Sequence, residues 1–308
     1  MSAREDKYKG IFPAFYACYD SEGEIDRNRV KAFTRHLIGK GINGLYVGGS
    51  SGECIYQSVE DRKALLEAVM EEAKGKIVII AHVAANNTKD SVLLARHANS
   101  LGVDAIASIP PIYFHLPDYA IAKYWNDISS AAPDCDFVIY NIPQLAGVAL
   151  SIPLLNEMIK NERVIGVKNS SMPTEDILRF KAEGKKNGRE FVVFNGPDEQ
   201  LISGLSIGAD GGIGGTYGVM PELYLAIYDL MKKGELERAR AIQNKANEII
   251  YALCSAKGNL YATMKEVIKK REGLDLGGVR APLYPYTDAD AAVVDKCSLM
   301  IDEAIKSL

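Results

Sequence analysis

Val164-Ile-Gly-Val-Lys168-Asn-Ser-Ser171 opens with a mostly apolar run, 164–169 (VIGVKN), short enough for one strand and interrupted near its end by a single lysine. Runs of the same kind lie on either side, at 137–143 (FVIYNIP) and 191–196 (FVVFNG), separated by stretches long enough for a helix. Outward from these the pattern continues at 10–18, 44–49, 76–83, 103–111 and 211–215, eight runs in all. Val, Ile, Tyr and Phe are frequent in most of them, which suits strands. Near-continuous apolar strands suit a parallel sheet covered on both faces. Eight strand–helix units in about 220 residues predict an α/β fold, a (β/α)8 TIM barrel, with a doubly wound open sheet as the alternative.

The stretches between the runs carry helix signals. Ser58-Val-Glu-Asp61 resembles a capping box, and Leu65, Ala68 and Val69 then line one helical face. Thr88 is read as the N-cap of a helix through Leu101, with Gly102 past its end. Ser171 and Pro173 are read as the cap and early proline of a helix through Lys186. After residue 218 only helices are expected, at 220–233, 235–256, 259–272 and 287–308. The division predicted is therefore a barrel over 8–233 and a C-terminal helical extension over 234–308. No Pro-, Gly- or Ser-rich linker separates them, so the extension is expected to pack on the barrel.

Composition narrows the function classes. With 308 residues, 47% hydrophobic and 25% charged, the chain has ample material for a core. Its balance of 36 basic and 40 acidic residues, net −4, is not the footprint of a nucleic-acid binder. No run approaches the roughly 18 apolar residues of a membrane span. The start, Met1 to Lys7, is polar, so no secretory signal is expected and a cytoplasmic location is. The five cysteines are at least 36 residues apart and the four histidines show no ligand spacing, so neither disulfides nor a metal site are expected. No GxGxxG loop follows a strand, and no Walker A motif exists.

In such barrels the chemistry sits at the C-terminal ends of the strands. Gly48-Gly-Ser-Ser-Gly-Glu53 follows the second run. Its glycines let backbone amides converge on one anion, and Ser50 and Ser51 add hydroxyls; a tight strand-to-helix turn is the competing explanation. Strict alternation puts Val164, Gly166 and Lys168 on one face, the barrel interior. Desolvation lowers a lysine pKa and makes the amine nucleophilic; a lysine reaching the rim to form an ion pair is the other reading. Tyr140 shares parity with Val138 and points inward, as a proton relay or as a core tyrosine. Asp198 and Glu199 serve either a helix dipole or substrate hydroxyls. Gly214-Gly-Thr-Tyr-Gly218 is another polar rim, and Tyr113 is open between core, interface and site. His82 and His97 read as structural.

Gly48–Glu53, Tyr140-Asn-Ile-Pro143 and Gly166-Val-Lys168 together resemble the dihydrodipicolinate synthase/N-acetylneuraminate lyase family, from about residue 8 to the C-terminus. Tyr46–Ser58, Ala81-His-Val83 and Gly208–Gly214 look like its lyase branch. The synthases usually carry Gly-Thr-Thr-Gly-Glu in the first motif. They also place an arginine beside the tyrosine segment to grip a second carboxylate, where this chain has Asp134-Cys-Asp136 and Gln144-Leu-Ala146. The resemblance implies a class I pyruvate-dependent aldolase that needs neither metal nor organic cofactor. Lys168 would form the imine, Ser50 and Ser51 would hold the substrate carboxylate, and Tyr140 would relay protons. Ser170, Gly196, Asp198, Glu199 and, more weakly, Thr216 would meet sugar hydroxyls. The implied reaction is reversible cleavage of the sialic acid N-acetylneuraminate to pyruvate and N-acetylmannosamine. Another pyruvate-dependent aldolase of the family, on a 2-keto-3-deoxy sugar acid or as a dihydrodipicolinate synthase, is the alternative; a non-catalytic sugar-acid binder is the reading of another class. Tyr113 matches the family tyrosine that reaches a neighbouring subunit's site, and a homotetramer is implied, with no nucleic-acid or membrane partner. Two positions depart from the lyases, which often have serine at Gly215 and asparagine at Gly218.

Overall fold

The computed structural model describes residues 3–308, so the polar start read at Met1 and Ser2 lies outside them. Eight strands are present: β1 (Gly10–Pro13), β2 (Gly44–Val47), β3 (Val78–His82), β4 (Ala105–Ser108), β5 (Asp136–Asn141), β6 (Val164–Asn169), β7 (Val192–Asn195) and β8 (Gly211–Gly214). Each pairs in parallel with its sequence neighbour, and β8 returns to pair with β1. β1 and β2 meet through the Ala14–Tyr46 bridge, where the Phe15 amide donates to Tyr46 O at 2.9 Å. The result is a (β/α)8 TIM barrel.

Two apolar layers follow from strand alternation. Ile11, Leu45, Ile79, Ile106, Ile139, Val167 and Val193 point outward into the helix layer. Phe12, Tyr46, Ile80, Ala107, Val138, Tyr140 and Phe194 point inward and fill the barrel. Full burial of each large apolar side chain contributes roughly 1.5–3 kcal/mol.

Strand β6 departs from the alternation expected of it. Phe137 pairs with Val164, but Val138 pairs with Gly166, so Ile165 is one residue too many and forms a bulge. Val164 therefore packs in the outer layer with Val167, not beside Gly166 and Lys168. Ile165 joins the interior cluster. Gly166 faces β7 so closely that a Cβ would sit 2.3 Å from Val192 O.

The helices follow the sequence signals with two corrections. Ser58 and Asp61 form the full capping box on Val59–Ala73, and Leu65, Ala68 and Val69 are buried. The cap of Thr88–Leu101 is Asn87, whose side chain accepts from the Asp90 amide; Thr88 is the first helical residue. Gly102 ends that helix at φ +76°. Ser171 caps nothing: the helix is Glu175–Gly184, and the Ser171 hydroxyl bonds Asp176 Oδ2 at 2.7 Å. Pro173 precedes the helix instead of starting it, and a separate 3-10 turn at Lys186–Gly188 replaces its expected end.

Beyond β8 the chain is helical, with Pro221–Lys232, Leu236–Leu253, Leu260–Glu272 and Ala291–Lys306. Leu236–Leu253 packs between Pro221–Lys232 and Ala291–Lys306. Lys40, at the end of helix Arg27–Gly39, bonds Glu222 at 2.6 Å and Glu272 at 3.0 Å, which ties the late helices to the barrel. Among the described residues no helix is long and apolar enough to cross a membrane.

Candidate active site

Lys168 projects into the barrel interior from the second-last position of β6 and is only 5% exposed. Its Nζ lies 4.0 Å from the centre of the Tyr140 ring and 4.3 Å from that of Tyr46. Among the described residues it forms no ion pair, which removes the rim reading. Burial pushes its pKa down to about 7, against a weaker upward pull from Asp198 and Cys54. At neutral pH a large fraction of this amine is therefore unprotonated. Two aromatic faces offer an ammonium modest attraction without fixing its charge as a carboxylate would.

Tyr140 is directly across from Lys168 in the β5–β6 register. Burial pushes its phenol up to about 12, while side-chain hydrogen bonding with Ser50 and Ser170 pulls it back. One phenol thus joins two serines from different loops. Ser50, Ser51 and Gly52 form a single 3-10 turn after β2. The turn leaves the Ser50 and Ser51 amides without an intrahelical acceptor. Gly48 makes the approach possible at φ +74°, a conformation costly for other residues. Gly196 packs directly on Ser170: a Cβ there would be 2.0 Å from Ser170 Oγ.

Asp198 sits in the turn after β7 and is buried. Its Oδ2 accepts from both the amide and the hydroxyl of Thr216, each at 2.6 Å. Burial nevertheless raises its pKa to about 6. Gly214 leaves room for this carboxylate, since a Cβ would lie 2.1 Å from Asp198 Oδ1. Glu199 is exposed beside it. The structure thus gathers Ser50, Ser51, Tyr140, Lys168, Ser170, Gly196, Asp198 and Thr216 at the C-terminal mouth of the barrel, with Glu199 at its edge.

Tyr113 is elsewhere. It is 86% exposed, has φ +80°, and borders an open groove of about 700 Å³ with Pro111, Phe114 and Tyr119. His82 is structural as read: its Nδ1 is 3.0 Å from Gly48 O, and burial holds its pKa well below the usual value. His97 pairs with Glu67 at 3.0 Å. Among the described residues no cluster of His, Cys, Asp or Glu is arranged to hold a metal ion.

Sequence reasoning missed several neighbours. Tyr46 and Cys54 flank the amine, and Tyr46 is recognisable only once its strand parity is known. Tyr261, on Leu260–Glu272, accepts from the Ser51 hydroxyl at 3.4 Å, and no spacing rule connects residues 210 apart. Gln243 and Asn247 hold the backbone carbonyls of Asp198 and Glu199. Asn141, Asn169 and Asn195 stand in register on β5, β6 and β7. Asn141 holds the Leu150 amide and Asn195 holds Pro197 O, so this row fixes the loops around the pocket. The two glycine departures have distinct surroundings. At Gly218 a Cβ would meet the Tyr16 ring at 2.8 Å, whereas at Gly215 it would meet Ser51 Oγ at 3.2 Å and Tyr261 at 3.8 Å.

A model of the dihydrodipicolinate synthetase family matches residues 7–297. The chain is 61% identical over 301 residues to an N-acetylneuraminate lyase of Mediterraneibacter gnavus, covering 98% of this chain and 95% of that protein. An N-acetylneuraminate lyase 2 of Escherichia coli is 33% identical, covering 94% and 93%. A solved structure of a Ruminococcus gnavus sialic acid aldolase with its catalytic lysine mutated superposes with a TM-score of 0.96 at 60% identity, covering 98% of each chain.

Proposed function

This chain belongs to the dihydrodipicolinate synthetase family, and on that premise we propose that it is a class I aldolase that cleaves N-acetylneuraminate reversibly to pyruvate and N-acetylmannosamine. The observation that carries the reading is Lys168, a buried amine without a counter-ion, facing Tyr140 in a chain so similar to a lyase of that substrate.

The free amine attacks C2 of the open-chain sugar acid, and loss of water leaves a protonated imine. Ser50 and Ser51, with their amides, hold the C1 carboxylate. Tyr140, linked to Ser50 and Ser170, passes protons during imine formation and takes the proton of the C4 hydroxyl. The C3–C4 bond breaks, and its electron pair moves through C2 onto the imine nitrogen to give an enamine. N-acetylmannosamine departs as the aldehyde. The enamine is protonated at C3, and water releases pyruvate and the amine. The imine is itself the electron sink, so the proposed chemistry calls on no metal or organic cofactor.

Asp198, Glu199, Ser170 and Gly196 are assigned to the sugar hydroxyls, with Thr216 orienting Asp198. The barrel, 8–233, carries the chemistry, and the extension, 234–308, trims the mouth through Tyr261. We further propose a cytoplasmic homotetramer in which Tyr113 reaches a neighbouring copy's pocket; its exposure on the isolated chain supports that reading.

The test is pyruvate release from N-acetylneuraminate by the parent chain and by Lys168→Ala. Release by the parent alone, with borohydride trapping of pyruvate on Lys168, is the expected result. A folded parent that releases no pyruvate overturns the assignment.

A further inference from the structure

Glu53 follows the Ser50–Gly52 turn directly and is buried at φ +59°, a conformation that disfavours any side chain-bearing residue. Its carboxylate explains why the chain tolerates that backbone. Oε1 pairs with Lys265 Nζ at 3.1 Å, and both side chains are fully buried. Oε2 accepts the Arg280 amide at 2.7 Å and the Tyr19 hydroxyl at 3.3 Å. Lys265 also donates to Gly278 O at 2.6 Å. One turn earlier on the same helix, Tyr261 meets Ser51. Helix Leu260–Glu272 therefore grips the serine turn at two points, Ser51 within it and Glu53 just past its end.

Resting on the aldolase reading above, we infer that Lys265, acting through Glu53, is a positioning residue that sets the Ser50–Ser51 cradle for the carboxylate of the 2-oxo acid. It touches no substrate. A buried ion pair placed between a strained turn and a distant helix holds the backbone in one geometry, and a shift of well under 1 Å in such a cradle weakens binding of the group it holds. The effect is confined to the oxo acid, because the aldehyde half meets other loops.

The test runs in the condensation direction, with pyruvate and N-acetylmannosamine varied separately. Lys265→Met is expected to raise the half-saturating pyruvate concentration roughly tenfold. The half-saturating N-acetylmannosamine concentration is expected to stay unchanged. At saturating pyruvate, borohydride trapping should still go to completion on Lys168. Because Lys265→Met leaves a buried carboxylate unpaired and the variant is at risk of misfolding, Glu53→Gln/Lys265→Met, which removes both charges, is measured beside it. A selective rise for pyruvate in either folded variant supports the inference. An unchanged pyruvate dependence, or equal rises for both substrates, overturns it. A parent that forms no trapped adduct with pyruvate overturns the aldolase reading instead, so the two failures are distinct.

Discussion

Lys168 and Lys265 are both buried, at 5% and 2% exposure, yet their surroundings differ in kind. Lys265 faces Glu53 and a backbone carbonyl, so its charge is matched and its position is fixed. Lys168 faces two aromatic rings and has no anion within ion-pair distance among the described residues. Burial pushes both pKa values down, and Glu53 counteracts this for Lys265. For Lys168 the opposing pull is weak, and the value reaches about 7. Burial alone does not make a lysine reactive; burial without a partner does.

Four experiments press on this difference. The largest effect is expected from Lys168→Ala, which should lower pyruvate release from N-acetylneuraminate by at least roughly a thousandfold. A loss below tenfold would place the nucleophile elsewhere. Next comes Lys265→Met, expected to cost about 3–5 kcal/mol in denaturant unfolding, because it strands the Glu53 carboxylate. A cost below about 1 kcal/mol would mean the pair is not a matched buried charge.

Lys168→Met is expected to act in the opposite sense, stabilising the fold by on the order of 2 kcal/mol at pH 7. The folded chain disfavours the protonated amine while the unfolded chain keeps it, up to the usual value of 10.5. Parent stability therefore rises with pH between about 7 and 10.5, and the advantage of Lys168→Met narrows over that window. Thermal melts of both proteins across this range check the sign. The smallest effect is on rate: adduct formation with pyruvate should fall roughly tenfold per pH unit below pH 7 and level off above it. A rise that continues to pH 10 would describe an ordinary, charged lysine.

Much of this contrast is legible in the sequence, but unevenly. Strand Val164–Asn169 is recognisable to the residue, because an apolar run bounded by polar residues has few other uses. The capping box at Ser58 is equally plain, since both of its hydrogen bonds are local. Lys168 stands out because a charge inside an apolar strand is conspicuous. Glu53, by contrast, stands in a legible motif that does not betray its partner, because Lys265 is 212 residues away and only the folded chain joins them. Tyr261 is hidden for the same reason. Thr88 and Ser171 mislead because several polar residues near a helix start are chemically able to cap it, and the loop path decides between them.

The surplus residue in β6 has a consequence for how this chain tolerates change. It is a phase shift: parity changes across Ile165 and Gly166, so Val164 faces the helix layer and Lys168, four residues on, faces the pocket. Deleting Ile165 would restore an even beat, with Val164 outward, Gly166 inward, Val167 outward and Lys168 still inward, opposite Tyr140. The bulge thus works as slack in the strand: a one-codon deletion there would take up the slack and leave the reactive amine on the pocket face, opposite Tyr140.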